Sequence, residues 1–204
     1  MTMHSITRLA ARGLALAATA ALLSGCLTMK AYVDPALPVV AKADLVAPAT
    51  PRPVQVAFEF KTNGSVNASA TSQIKPRIIA VASESGLFSA VTSSASDSAD
   101  AGLLTVVIDN VPITDNAAAK GFGTGLTLGA VGSMVTDGYV ATARYQRNGV
   151  TTEVTAKHAL HTTIGNKAGP EGLAPVTMQQ GVETVMDQLM WNLIKQLAEQ
   201  KALE

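Results

Sequence analysis

The sequence predicts an α+β fold: a single sheet of about four strands with two helices, in the order strand, helix, strand, glycine-rich segment, strand, strand, helix. Three observations carry this. Val54, Val56, Phe58 and Phe60 alternate with Gln55, Ala57 and Glu59, the period-2 mark of a half-buried strand. Asn148-Gly149 separates two further strand-like runs, a strong hairpin signal. Met178, Val182, Val185, Met186, Leu189, Leu193 and Leu197 recur at helical spacing and form a stripe wide enough to cover a core.

The chain before the domain has its own grammar. Arg8 and Arg12 precede an uncharged run from Leu14 to Leu23, which ends in Leu23-Ser24-Gly25-Cys26 and the chain's single cysteine. Ten helical residues cover about 15 Å, half of a ~30 Å hydrocarbon core, so the run reads as a secretory signal and not a span. The four closing residues resemble a bacterial lipobox. That resemblance implies cleavage between Gly25 and Cys26, diacylglycerol on the Cys26 thiol, and a further acyl chain such as palmitate on its amine. More than one acyl chain holds a protein stably on a membrane. In that family the residue after the cysteine sorts the protein. Leu27, which is not the aspartate of inner-membrane retention, implies the outer membrane, facing the periplasm.

Residues 1–25 are thus expected to be a signal peptide, 26–53 a lipidated cysteine with a tether, and 54–204 a periplasmic domain. Pro35, Pro38, Pro48, Pro51 and Pro53 give the tether its extended character. About 25 residues at ~3.1 Å each would reach ~80 Å. Contacts of Val39-Val40 or Leu45-Val46 with the domain would shorten it.

Within the domain, the strand from Val54 to Phe60 ends at the turn signal Asn63-Gly64. A helix is expected from about Ala68 to Ser85, with Ile74, Ile78 and Val81 on one face and Gly86 as its stop. Pro76 inside it predicts a kink or a later start. Leu87-Phe88 should fold back into the core, and Thr92 to Gly102 reads as loop. Leu103 to Val111 carries apolar residues on both faces, which predicts a central strand. Tyr139–Gln146 and Val150–Ile164 are read as antiparallel partners. Thr177 and Gln180 offer a capping box for the last helix.

This order, with Ser85-Gly86-Leu87-Phe88-Ser89-Ala90-Val91 after the first helix, resembles the periplasmic α/β domains of several lipoprotein groups of the cell envelope. They include transport-auxiliary lipoproteins, the curli secretion lipoprotein and lipoprotein activators of peptidoglycan synthases. The resemblance covers roughly Val54 to Gln200 and implies that fold and an envelope role.

Composition excludes some functions. Without Arg8 and Arg12 the mature chain has 13 basic against 15 acidic residues, so no basic field awaits nucleic acid. Gly121-x-Gly123-x-Gly125 lacks the third glycine of a dinucleotide loop, and Gly132-Ser133-Met134 lacks the second glycine of a nucleophile elbow. His158 and His161, three apart on a strand, point to opposite faces and cannot ligate together; His158 is expected on the apolar face and His161 outside. With one cysteine, no thiolate metal site exists. The spacing of Asp109, Asp115 and Asp137 encodes no acidic group, and Asp115 and Asp137, which bracket the glycine segment, read as turn caps.

Two features read as contact surfaces. Gly121, Gly125, Gly129 and Gly132 punctuate sixteen uncharged residues, 121–136, which as a helix would span about 24 Å, too short to cross. The segment reads as a packed connection, a site of self-association or a partial membrane insertion. Trp191 falls opposite the apolar stripe of the last helix, where tryptophan marks a surface that rests on the tether or binds a partner.

The expected protein is a non-enzymatic, outer-membrane-anchored periplasmic lipoprotein acting as an accessory or scaffolding module. It has no cofactor and no identified small-molecule substrate; its partners are the membrane, through its anchor, and a protein or a further copy of itself. The alternatives are an oligomeric secretion or pore-associated lipoprotein using residues 121–136, and a hydrolase of envelope polymers, for which no constellation is evident.

Overall fold

The structure, a computed structural model, describes residues 29–95, 98, 100–113 and 134–204. Two helices appear as expected, α1 (Ala68–Glu84) and α2 (Met178–Glu199). The sheet is larger than the predicted four strands. It has seven: β1 (Met29–Val33), β2 (Arg52–Thr62), β3 (Ser65–Val66), β4 (Phe88–Thr92), β5 (Gly102–Pro112), β6 (Met134–Arg147) and β7 (Val150–Ile164). The order across it is β1-β7-β6-β5-β2-β3, with β4 also on β2.

Each added strand has a local cause. At Asn63-Gly64 both residues take positive φ, 53° and 79°, so the chain turns tightly and Ser65–Val66 pairs back on β2. At Gly86, φ of 73° ends the helix, and the Ser85 hydroxyl accepts from the Leu87 amide at 3.2 Å. Leu87 then enters the core as expected, and Phe88–Thr92 continues as a strand parallel to β2.

The third addition corrects the tether. From Met29 onward the proline-bearing segment lies on the domain. β1 pairs antiparallel with β7 from Met29↔Ile164 to Val33↔Leu160. Ala31 exchanges two backbone hydrogen bonds with Val176, 3.0 and 2.8 Å. Farther on, Val40 is buried, Leu37 and Leu45 pack on the core, and Asn192 Nδ2 donates to the Pro38 carbonyl at 2.8 Å. Proline limits the chain's freedom without forbidding contact, so this segment has less entropy to lose when it lies down.

The central elements follow the sequence closely. β5 lies between β2 and β6, and its two apolar faces match that place. Asn148 and Gly149 take φ of 51° and 77° at the β6–β7 turn. β6 begins at Met134, earlier than expected, so Met134, Val135 and Thr136 are strand. Gly121, Gly125, Gly129, Gly132 and Asp115 lie outside the described residues, as do Gly25 and Cys26.

Both helices cover one face of the sheet. Val54, Val56, Leu104, Val106, Ile108, Ala141, Val154 and Leu160 meet Ile78, Val81, Val185, Leu189, Leu193 and Leu197 there. Helix α1 runs from its Asn67 cap straight through Pro76, so the expected later start is not needed. The helix–helix interface and the sheet supply enough burial to outweigh the hydrogen bond that proline cannot donate. Helix α2 opens with the predicted Thr177/Gln180 capping box and settles closely on the sheet at Gly181. A Cβ there would stand 2.9 Å from Ala31 Cβ and Leu160 Cδ1.

Candidate functional site

The densest polar chemistry among the described residues sits under the edge strand β1. Immediately after β1, the Asp34 amide donates to the Ala159 carbonyl at 3.2 Å, which carries the strand pairing one residue further. Its side chain then folds back. Oδ1 accepts from the Ala36 amide at 2.8 Å, a short Asx turn across Pro35. Oδ2 lies 3.0 Å from His161 Nε2. On the other side of the ring, His161 Nδ1 lies 2.9 Å from Thr136 Oγ1. Register dictates this, since Tyr32 and Thr136 stand opposite His161 on its two neighbouring strands.

A carboxylate only accepts, so Nε2 carries the hydrogen donated to Asp34, while Nδ1 shares the hydrogen bond with the Thr136 hydroxyl. The order acid, imidazole, hydroxyl is that of a nucleophilic triad. The Asp34 and His161 side chains, however, have no exposed surface. This corrects the expected outside position of His161. Alternation does send it to the face opposite the helices, but the connection between β7 and α2 covers that face. Gly169 of this connection lies so close to Tyr32 that a Cβ would stand 2.2 Å from its ring. Thr163, on the same face, is buried with its hydroxyl unpaired.

His158 points the other way, into the core, as alternation requires. Its Nδ1 accepts from the Ala159 amide at 2.8 Å, and Nε2 lies 2.5 Å from Gln188 Oε1 on α2. Burial lowers the His158 pKa below 6.5, partly offset by the Gln188 acceptor. Beside it in register run Tyr139 and Asn110. Burial pushes the Tyr139 hydroxyl to about 12, with nearby Asp137 adding to the shift, and raises the Asp137 carboxyl against the opposing effect of an Asn110 hydrogen bond. Asp109 caps the Asn63-Gly64 turn, its Oδ1 accepting from the Gly64 amide at 3.0 Å, whereas Asp137, expected at a turn, lies within β6.

Trp191 is corrected as well. It is half-buried and packs against the hydrophobic core. One turn earlier on the same side of α2, Asp187 takes a two-pronged bond from Arg77 of α1: Nε to Oδ1 at 2.6 Å and Nη2 to Oδ2 at 2.7 Å. The side of α2 opposite its sheet-facing stripe is thus partly occupied by α1. Beside this clamp, Gln73, Ile74, Val182, Glu183 and Met186 line a groove of about 400 Å³.

No three His, Cys, Asp or Glu side chains gather as metal ligands among the described residues. The two histidines do not converge, in keeping with the strand geometry. Asp34 and Thr136 were missed as partners of His161 because one was assigned to the tether and the other to the glycine segment. The only hint is the alternation Met29, Ala31, Val33 just before Asp34-Pro35, too short to distinguish a strand from a loop.

No protein-family model matches the chain, and no curated protein sequence does. Solved structures of similar outline include rare lipoprotein B from Shewanella oneidensis, 9% identical over 74% of this chain and 97% of that one, at a TM-score of 0.41. A minor lipoprotein from Acinetobacter baumannii is 13% identical over 75% of this chain and 92% of its own, at 0.36. A PelC dodecamer from Paraburkholderia phytofirmans is 12% identical over 82% and 96%, at 0.34. No residue role is carried over from these likenesses.

Proposed function

We propose that this protein is a lipoprotein anchored through Cys26 in the outer membrane, facing the periplasm, where its domain serves as a non-enzymatic accessory or scaffolding module of the envelope. The observation that carries the reading is Leu23-Ser24-Gly25-Cys26 at the end of a ten-residue apolar run. Among the described residues no helix is long and apolar enough to cross a membrane; in this reading the acyl chains do the anchoring. The non-enzymatic part of the reading is supported by the burial of Asp34 and His161: Thr136 is only half-buried, but the imidazole that would activate it has no exposed surface from which to pass a proton to substrate or water. In this reading the cluster is a polar staple that holds β1, and with it the anchored end of the chain, to the sheet.

The test is metabolic labelling with a clickable palmitate, followed by mass spectrometry of the mature N-terminus and separation of inner from outer membranes. The expected result is a triacylated Cys26 in the outer-membrane fraction, with labelling abolished in Cys26→Ala. An unacylated N-terminus, or protein in the inner membrane, refutes the respective half of the proposal. Crosslinking in intact envelopes then identifies the protein it serves.

A further inference from the structure

We infer that the β1–β7–β6 corner of the sheet is a membrane-contacting surface, with Met29, Val135 and Ile164 set against the lipid headgroups; this rests on acylation of Cys26. Only three peptide steps separate Cys26 from Met29, the first residue of β1. At no more than ~3.6 Å per residue, Met29 stands within about 11 Å of the acylated residue. A tether of the expected ~80 Å would have left the domain's orientation free. Three residues do not.

The surface presented there suits the task. Met29 pairs with Ile164, and Ala31 and Val135 flank Thr162 on either side. Period-2 geometry therefore puts Met29, Val135 and Ile164 on one face, beyond the first turn of α2. Met29 is 51% and Val135 53% exposed, so two large apolar side chains lie open on the same face at the end nearest Cys26. Lys30, next to Met29 but on the opposite face of β1, is also exposed, and its long stem lets the ammonium meet anionic headgroups at the corner. The far end of β7 carries the Asn148-Gly149 turn and Val150, fourteen residues from Ile164. At ~3.3 Å per residue that is about 46 Å away.

The test uses the full-length protein, purified in acylated form and placed in phosphatidylethanolamine–phosphatidylglycerol vesicles. Because Cys26 is consumed by its diacylglycerol, a single introduced thiol can carry an environment-sensitive fluorophore. Val135→Cys and Met29→Cys report on the corner, the second serving if the first disturbs the fold; Val150→Cys reports on the far end. Spin-labelled lipid is expected to quench the corner labels roughly twofold or more and to leave the Val150→Cys label unchanged. Acylated protein whose corner labels escape lipid quenching overturns this inference alone, as does a corner label shielded from lipid and aqueous quenchers alike, which signals a protein covering. Absence of acyl mass on Cys26 overturns the anchoring proposal and this inference with it.

Discussion

Replacing Asp34 with alanine removes the acceptor for a buried imidazole N–H and for the Ala36 amide at once. The Ala36 bond is only partly buried, so water replaces much of it, but the side chain of His161 has no exposed surface. An unsatisfied buried donor costs about 1–3 kcal/mol, and a loss of about 2 kcal/mol is expected. Asp34→Asn keeps an acceptor oxygen and should lose less than half as much. With a urea dependence of about 1–3 kcal/mol per molar, Asp34→Ala lowers the midpoint by roughly 1 M at unchanged slope. Hydrogen exchange should localise the damage, since the Ala31 and Val176 amides bond to each other's carbonyls across the β1 edge and should lose protection first. In the anchored protein, release of β1 would restore a long tether and free the domain's orientation. A stability loss under about 0.5 kcal/mol with unchanged exchange at Ala31 refutes the staple. Equal losses in Asp34→Ala and Asp34→Asn refute the argument from the acceptor.

Stability should also fall in mild acid. Because burial depresses the His158 pKa below 6.5, the unfolded chain takes up its proton first. The stability contributed by the neutral ring is complete above pH 6.5 and is lost below it, by up to about 1.4 kcal/mol per pH unit until the folded ring also protonates. His158→Gln should flatten that part of the curve, and parallel curves for the two proteins would contradict the assignment. A double-mutant cycle on Arg77 and Asp187 should give a coupling of about 0.5–1 kcal/mol, small because the pair is 40% and 29% exposed; zero coupling means the clamp between the helices is ornamental. Gly102→Ala would bring a Cβ to 2.3 Å from the Tyr145 hydroxyl, so a loss of about 1–3 kcal/mol is expected. A neutral substitution there would mean that the Tyr145 ring swings aside freely.

The elements most legible in the sequence were those fixed by local chemistry. Asn148-Gly149 imposes a turn because both residues tolerate positive φ, and the observed pairing of β6 with β7 follows from it. The Thr177–Gln180 box marks the start of α2 for an equally local reason: the two side chains satisfy backbone amides that no helix can satisfy for itself. Position in the sheet was legible for β5, whose two apolar faces require neighbours on both sides. β1, β3 and β4 were not legible. Five residues or fewer carry too little period to distinguish a strand from a loop, and each of these three pairs with an edge that other segments had already built.

The same division runs through the candidate site. Alternation alone sends His158 and His161 to opposite faces and rules out a shared ligand. It cannot say whether the outer face is wet, because that depends on what the β7–α2 connection does after leaving the sheet. Trp191 departs from expectation for a similar reason: the helical wheel locates a residue relative to its own stripe and says nothing of what else packs against the helix. The sequence by itself determined the single cysteine placed behind a short apolar run and the alternating and helical cores, because each of these is written in neighbouring residues. Only the tertiary structure decided that the start of the expected tether, Met29–Val33, is a strand and that Asp34, His161 and Thr136 meet beneath it. Those contacts join residues 25 to 127 positions apart, and nothing local in a chain specifies which distant strand will lie beside it.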